Sequence, residues 1–211
     1  MHDFRSAVPV VDIQRAVPGA IESTVADDVS SFLAKQPEKV PPTCLYIWDQ
    51  AVHRGRISKP FKIAPIVNNG NVGIYDFVTQ ELGRPAFIDA YSVTFAHPVT
   101  GYDFAEVSLV QCYPDDIHIC DVAFSDTTAP LSPSQSEIER RGYRGLHVFG
   151  QFIDQLATVA RDRGVGRLSL MVASRGLPPV FARYGFKPSK TKAAKAALKS
   201  TGFGYPMILR L

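Results

Sequence analysis

The stretch YRGLHVFGQFIDQLATVARDRGVGRLSLMVA, residues 143–173, decides the fold. Over residues 146–163 the apolar side chains recur at helical spacing and form one stripe. That stripe consists of Phe149, Phe152, Ile153, Leu156 and Ala160. Gly164 ends the helix. The run RLSLMVA, residues 167–173, is short and apolar throughout, as in a buried strand. The sequence therefore predicts a long helix that leads directly into a strand.

Three alternating apolar segments precede this unit. They are AFIDAYSVTFAH (86–97), FAEVSLVQCY (104–113) and IHICDVAF (117–124). Because only short turns separate them, we expect an antiparallel meander. The meander, the helix and the next strand predict an α/β (α+β) fold with a mixed sheet and a βαβ unit. A short helix at 178–184 and a closing strand at 205–211 complete this core, which we assign to residues 86–211.

Residues 1–85 are rich in proline and form an N-terminal extension with the first elements of the fold. We predict strands at 7–13 and 44–52, an amphipathic helix at 20–35 and a breaker segment at 36–42. A helix at 74–82 ends at Gly83. The extension is also a candidate arm that docks on a protein partner.

Composition excludes several classes of protein. The 211 residues are 45% hydrophobic and 20% charged, which is typical of a globular chain. No apolar run approaches the ~20 residues that a membrane span needs, and the first residues do not form a secretory signal. The three cysteines are an odd number without metal-ligand spacing, so we expect reduced thiols, a cytoplasmic location and no metal site.

Positive charge is concentrated at the C-terminal end. Residues 139–211 carry 14 lysines and arginines against three acidic residues, a balance of +11 within a net charge of +3. This asymmetry indicates an anionic partner, and the lysines at 187–199 either form a solvated face or contribute to binding it. Aromatic residues do not interleave with these lysines, which argues against a nucleic acid.

The C-terminal pattern resembles the GNAT superfamily of acyl-CoA-dependent N-acyltransferases over residues 86–211. Arg144 and Gly145 match the start of its cofactor loop, and Gly185-Phe186 matches its terminal signature. The resemblance implies transfer of an acyl group from acetyl-CoA or another acyl-CoA to a small-molecule or peptide amine. It also implies a set of cofactor-binding residues: Val122, Phe124, Arg144, Gly145, Leu146, His147, Val148 and Phe149. A helix N-terminus is independently suited to a pyrophosphate, because its first N–H groups are unpaired.

The sequence differs from the family pattern in three places. His147 and Phe149 stand where small residues are usual, Phe181 stands where a proton-donating Tyr is frequent, and Ser174 stands near where Asn is common. These differences favour an alternative, in which the chain is a non-catalytic structural or interaction subunit of a larger assembly, for example a virus particle. Both hypotheses stay open at the level of sequence.

The resemblance places the general base on the meander. Strict alternation puts Asp121 on one face with Ile117 and Ile119, and puts His118, Cys120 and Val122 on the other. Asp121 is the leading candidate base, and Glu106 on the neighbouring strand is the second. Tyr184 is the candidate that replaces the missing proton donor. We interpret His118 and Cys120 as structural, and we predict an exposed lid or partner-binding loop at 125–139.

Overall fold

The computed structural model describes residues 3–57, 70–113, 115–124 and 148–211. A seven-stranded sheet runs through these residues in the order β1-β2-β3-β4-β5-β7-β6. Its strands are β1 (Ile21–Ala26), β2 (Phe87–Ala96), β3 (Asp103–Cys112), β4 (Asp116–Phe124), β5 (Arg167–Met171), β6 (Lys187–Pro188) and β7 (Pro206–Arg210). All neighbouring pairs are antiparallel except β4 and β5, which are parallel. The predicted fold class, with its meander and βαβ unit, is confirmed.

Helices cover both faces of this sheet. In the described ranges they are α1 (Val10–Ala16), α2 (Val29–Lys35), α3 (Val40–His53), α4 (Gly70–Leu82), α5 (Phe149–Asp162), α6 (Pro178–Arg183) and α7 (Lys192–Ser200). One apolar core joins α1, α5 and α6 to what we call the α5 face of the sheet. A second core joins α2, α3 and α4 to the opposite side, the α3 face. None of the described helices is long and apolar enough to cross a membrane.

The long helix and the helix before the meander agree with their predictions. α5 packs its apolar stripe on the sheet, and Gly164 follows it at a φ of +68°. α4 ends before Gly83, whose φ is +66°. At both positions the chain enters the left-handed region, where glycine carries no Cβ penalty.

Two predicted N-terminal strands are wrong. Within residues 7–13, Ala7 ends a 3-10 helix, Phe4–Ala7, and the segment from Val10 onward lies in α1. Residues 44–52 lie within α3, whose first turn contains prolines of the predicted breaker segment. Proline is well tolerated there, since the first helical N–H groups have no partner in any case. A short apolar run does not by itself distinguish a strand from a buried helix.

The predicted single helix at 20–35 is also wrong. The segment forms β1, which pairs with β2, and then α2. Asp28 separates them with a capping box: its carboxylate accepts from the Ser31 N–H at 2.7 Å, and the Ser31 hydroxyl accepts from the Asp28 N–H at 3.2 Å. The described residues among the first 85 therefore contribute an edge strand to the same sheet and helices that pack against its faces. Their role as a partner-binding arm stays a prediction.

A β-bulge in β4 changes the direction of its side chains. Ser108 on β3 lies opposite Asp121, whereas the next residue, Leu109, lies opposite Ile119. Cys120 is therefore an extra residue in the β4 ladder, and such an insertion bends the strand. The bend lies where β4 stops pairing with β5, and it determines the geometry of the candidate site.

Candidate functional site

β4 and β5 separate at the bulge. The two strands pair from Asp116 with Arg167 to Ile119 with Leu170. Beyond these pairs β4 continues along β3 to Phe124, while β5 stays bound to the β7 side through the Val172 N–H and the Tyr205 carbonyl at 3.0 Å. The result is an opening between two parallel strands in the middle of the sheet, which we call the split.

The bulge corrects the predicted faces of β4. Ile117 and Ile119 belong to the core on the α5 face, but Asp121 does not share that face with them. Its carboxylate lies 3.9 Å from the Lys39 ammonium, on the α3 face. Val122 returns to the α5 face instead of joining His118 and Cys120. Strict alternation fails because the extra residue at Cys120 shifts every later side chain to the opposite face.

Lys39 joins the two candidate carboxylates into one cluster. Its ammonium contacts the Glu106 carboxylate directly and donates to the Ser108 hydroxyl at 2.9 Å. The Ser92 hydroxyl lies 2.7 Å from that of Ser108 and extends the network. The Asp121 side chain is 38% exposed, against 23% for that of Glu106. Asp121 is therefore the more accessible carboxylate, and Glu106 lies closer to the Lys39 ammonium. Sequence reasoning missed Lys39 because it lies in the segment interpreted as a breaker.

Tyr184 lies at the start of α5, on the other face of the sheet. Its ring packs edge-on against Phe149, with centroids 5.0 Å apart. A Cβ added at Gly150 would lie 3.3 Å from the Tyr184 ring, so the phenol borders the first turn of α5. Phe181, at the position where the family often has a Tyr, is buried and packs against Phe149 and Phe186.

The predicted cofactor-binding residues fall into two groups. Val122, Phe124, Val148 and Phe149 have buried side chains in the core on the α5 face, so any contact with a ligand uses their backbone. Arg144, Gly145, Leu146 and His147 lie outside the described residues, as does the loop predicted at 125–139. The role of all eight in binding a cofactor stays a prediction.

A buried polar cluster fixes α3 over β4 beside the split. The Tyr46 hydroxyl donates to the Asp116 carboxylate at 2.6 Å, and the Tyr46 ring stacks on His118 with centroids 4.6 Å apart. The Asp116 carboxylate also accepts two hydrogen bonds from the Arg167 guanidinium, from Nε and Nη2. On the other side of His118, Nδ1 lies 2.9 Å from the Ser169 hydroxyl of β5. These contacts hold β4, β5 and α3 together up to the residue where the strands separate.

His118 makes the stability of this arrangement dependent on pH. Complete burial disfavours the imidazolium and lowers the pKa of His118 to about 3, from an ordinary value near 6.5. Below pH ~6.5 the unfolded chain therefore binds a proton that the folded chain does not. The contribution of His118 to the free energy of unfolding is fully present above that pH. It is lost as the pH falls towards 3, at about 1.4 kcal/mol per pH unit.

We therefore expect His118→Gln to flatten the pH dependence of unfolding. Urea denaturation at pH ~7 and pH ~4.5 measures the loss on acidification, and the variant should lose roughly 2–3 kcal/mol less than the wild type. For each protein we compare the free energy of unfolding at the two pH values. The effect of lost packing is present at both and cancels in this difference. His53→Gln, at an exposed histidine, is the matched control and should keep the wild-type dependence. An unchanged dependence in His118→Gln would contradict the assignment.

Cys120 is not a candidate nucleophile. Its sulfur lies 3.2 Å from the Thr43 hydroxyl of α3, and burial raises the pKa of this thiol to about 12. The reactive form of cysteine is the thiolate, which this environment suppresses. The three cysteines are free thiols.

An apolar groove of about 510 Å³ opens beside the split on the α3 face. Leu45 and Val52 of α3 form one wall, and α7 forms the other around Ala194 and Ala197. Its floor includes Met171, the residue directly after the last β5 residue that pairs with β4. The groove therefore reaches the split from the same side as Asp121.

No protein-family model matches the sequence, and no match was found among curated proteins. Similar solved structures include a Bacillus anthracis protein assigned as a streptothricin acetyltransferase and solved with acetyl coenzyme A. It has 12% identity and a TM-score of 0.39, over 58% of this chain and 63% of that one. A GNAT-family acetyltransferase of Staphylococcus aureus has 10% identity and a TM-score of 0.39, over 90% and 99%. A GNAT-family N-acetyltransferase of Escherichia coli, solved with CoA, has 12% identity and a TM-score of 0.36, over 90% and 81%.

Proposed function

We propose that the protein transfers an acyl group from an acyl-CoA to an amine, and that the reaction takes place at the split. The observation that carries this proposal is the separation of β4 from β5 after Ile119 and Leu170, next to the bulge. A split between parallel strands exposes backbone groups inside a sheet, where an extended ligand can pair with them as an added strand does. The pantetheine arm of CoA is thin, extended and rich in amides, so it suits such an opening.

The backbone on both sides of the split supplies the contacts. In an antiparallel pair alternate residues turn their N–H and C=O groups away from the partner, so those of β4 after Ile119 face the split. An N–H aimed at the thioester oxygen would stabilise the negative charge that develops there. The first turn of α5 contains no acidic residue, and its N–H groups attract a phosphate.

Asp121 is the residue we assign as general base, with Glu106 as the second candidate. The Asp121 side chain is 38% exposed, against 23% for Glu106, whose carboxylate the Lys39 ammonium contacts directly, so Asp121 is the more accessible to an amine. The ammonium form of the substrate loses one proton to Asp121, and its nitrogen attacks the thioester carbonyl carbon. As the C–S bond breaks, the nitrogen loses its second proton to water, and the thiolate of CoA takes a proton from Tyr184 or from water.

The apolar groove beside the split supports an acceptor with an apolar body. Met171 and Pro206 form its floor, and both lie on the α3 face, where Asp121 lies. An amine bound along α3 would reach the thioester from the side that carries the base. The acyl donor would occupy the split and extend towards the start of α5 on the other face.

A transfer assay tests the proposal. The full chain is incubated with acetyl-CoA and a panel of apolar primary amines, and free thiol and acetylated amine are measured in parallel. We expect both products in equal amounts, above the level with heat-denatured protein. No product, together with an unchanged thermal midpoint with several acyl-CoAs at millimolar concentration, would contradict it and favour the non-catalytic alternative.

A further inference from the structure

A second cavity, of about 650 Å³, lies at the opposite end of β5 from the split. The end of α3 and the strands β5, β6 and β7 surround it. Its lining is strongly basic and, among the described residues, contains no carboxylate. We call it the basic cavity; the charged and titratable residues that line it are His53, Arg54, Arg167, Lys187, Lys190 and Arg210.

Only part of this positive charge is neutralised by the protein. Arg54 pairs with Asp115 at 3.0 Å, and Arg167 pairs with Asp116. Lys187, Lys190 and Arg210 form no ion pair within the described ranges. Three cations therefore face the same cavity without a counter-charge.

The strand register forces these cations together. Arg167 of β5 lies directly opposite Arg210 of β7, and Lys187 of β6 lies opposite Ile208, two residues from Arg210 on the same face. Asp116 compensates Arg167, but Lys187 and Arg210 have no acidic partner among the described residues, and like charges that are neighbours across strands destabilise a sheet. An arrangement that costs stability in the free protein is expected where a ligand of opposite charge binds.

The cavity also has a buried polar floor. The side chains of Gln50 and Ser189 are 1% and 6% exposed, and both line the cavity. Gln50 Nε2 donates to the Ser189 hydroxyl over a long 3.3 Å. Buried polar groups of this kind orient a ligand that the surrounding charges attract.

We propose that the basic cavity binds a small organic phosphate of about nucleotide size, at a site separate from the split. The volume lies in the usual range for small-molecule sites, and the unpaired cations match the charge of a di- or triphosphate. Arg167 begins β5 and Met171 ends it, which places the two sites roughly 13 Å apart along the strand. The site gives part of the basic C-terminal third a role that acyl transfer does not require.

Calorimetry of the full chain with ATP and with inorganic pyrophosphate tests the proposal. We expect both to bind, more weakly at higher salt, and Arg210→Gln and Lys187→Gln each to lower the affinity for ATP about 10-fold or more. Lys199→Gln is the matched control, because this lysine of α7 does not line the cavity. Its affinity should equal that of the wild type.

A second readout separates ligand binding from a structural role. Without ligand, Arg210→Gln relieves like-charge repulsion, so its thermal midpoint should equal the wild-type value or exceed it by roughly 1–3 °C. Saturating acetylpantetheine, which can enter the split but carries no phosphate, should leave ATP binding unchanged. The proposal is overturned if neither phosphate binds at millimolar concentration, if acetylpantetheine displaces ATP, or if a short oligonucleotide binds more tightly than ATP and loses affinity in the same variants.

Discussion

Asp121→Asn should lower the turnover of acyl transfer by roughly 10²–10⁴-fold at neutral pH and leave acyl-CoA binding intact. The substitution keeps the shape of the side chain and removes its ability to accept a proton from the amine. The deficit should shrink at high pH, where the amine is already deprotonated in solution. Steady-state kinetics over a range of pH, with acyl-CoA affinity measured separately, distinguishes these effects.

Two matched variants complete this test. Asp103→Asn changes an exposed carboxylate on the same sheet and should keep wild-type turnover. Glu106→Gln removes the partner of Lys39 and should have a smaller effect than Asp121→Asn if Asp121 is the base. Near-normal turnover of Asp121→Asn at neutral and high pH would show that Asp121 has no such role, and a larger loss in Glu106→Gln would transfer it to that residue.

Asp116→Ala should destabilise the protein by about 3–5 kcal/mol, as expected when one partner of a buried ion pair is removed. The Asp116 side chain is fully buried, and the side chain of Arg167 is only 12% exposed. The substitution leaves this guanidinium without its bidentate partner and the Tyr46 hydroxyl without an acceptor. Urea denaturation measures the change in the free energy of unfolding.

The neighbouring carboxylate provides the control. Asp115 pairs with Arg54 at 3.0 Å, but 46% of its side chain is exposed, so Asp115→Ala should cost less than about 1 kcal/mol. Adding Arg167→Leu to Asp116→Ala should recover part of the lost stability, because the unpaired buried charge is then absent. Equal effects of Asp115→Ala and Asp116→Ala would contradict the importance of the buried pair.

The C-terminal half of the fold could be predicted because its signals are local. Alternation in the meander, the short turns and the apolar stripe ending at Gly164 each lie within one segment. The predictions for the N-terminal segments were wrong because AVPVVDI and CLYIWDQAV are short apolar runs that suit either a strand or a buried helix. Two signals of helix starts were present in the sequence. They are the capping box of Asp28 and Ser31 and the prolines at the start of α3.

The site was less predictable than the fold. Asp121 and Glu106 could be named as candidates, but the bulge that turns Asp121 to the α3 face depends on pairing with Ser108 and Leu109. Lys39 reaches Glu106 across 67 residues of sequence, and no local pattern indicates such a contact. The basic cavity likewise depends on the register of Arg210 against Arg167.

Hydrogen exchange with and without acetyl-CoA tests the central claim most directly, because it reports which backbone amides the ligand covers. We predict slower exchange in peptides that span residues 119–124 and the first turn of α5, with β1 and β2 unchanged. The same slowing should occur in Asp121→Asn, which binds the ligand without turning it over. Unchanged exchange along β4 at saturating acetyl-CoA, or protection confined to the basic cavity around Lys187 and Arg210, would contradict the assignment of the split as the acyl-CoA site.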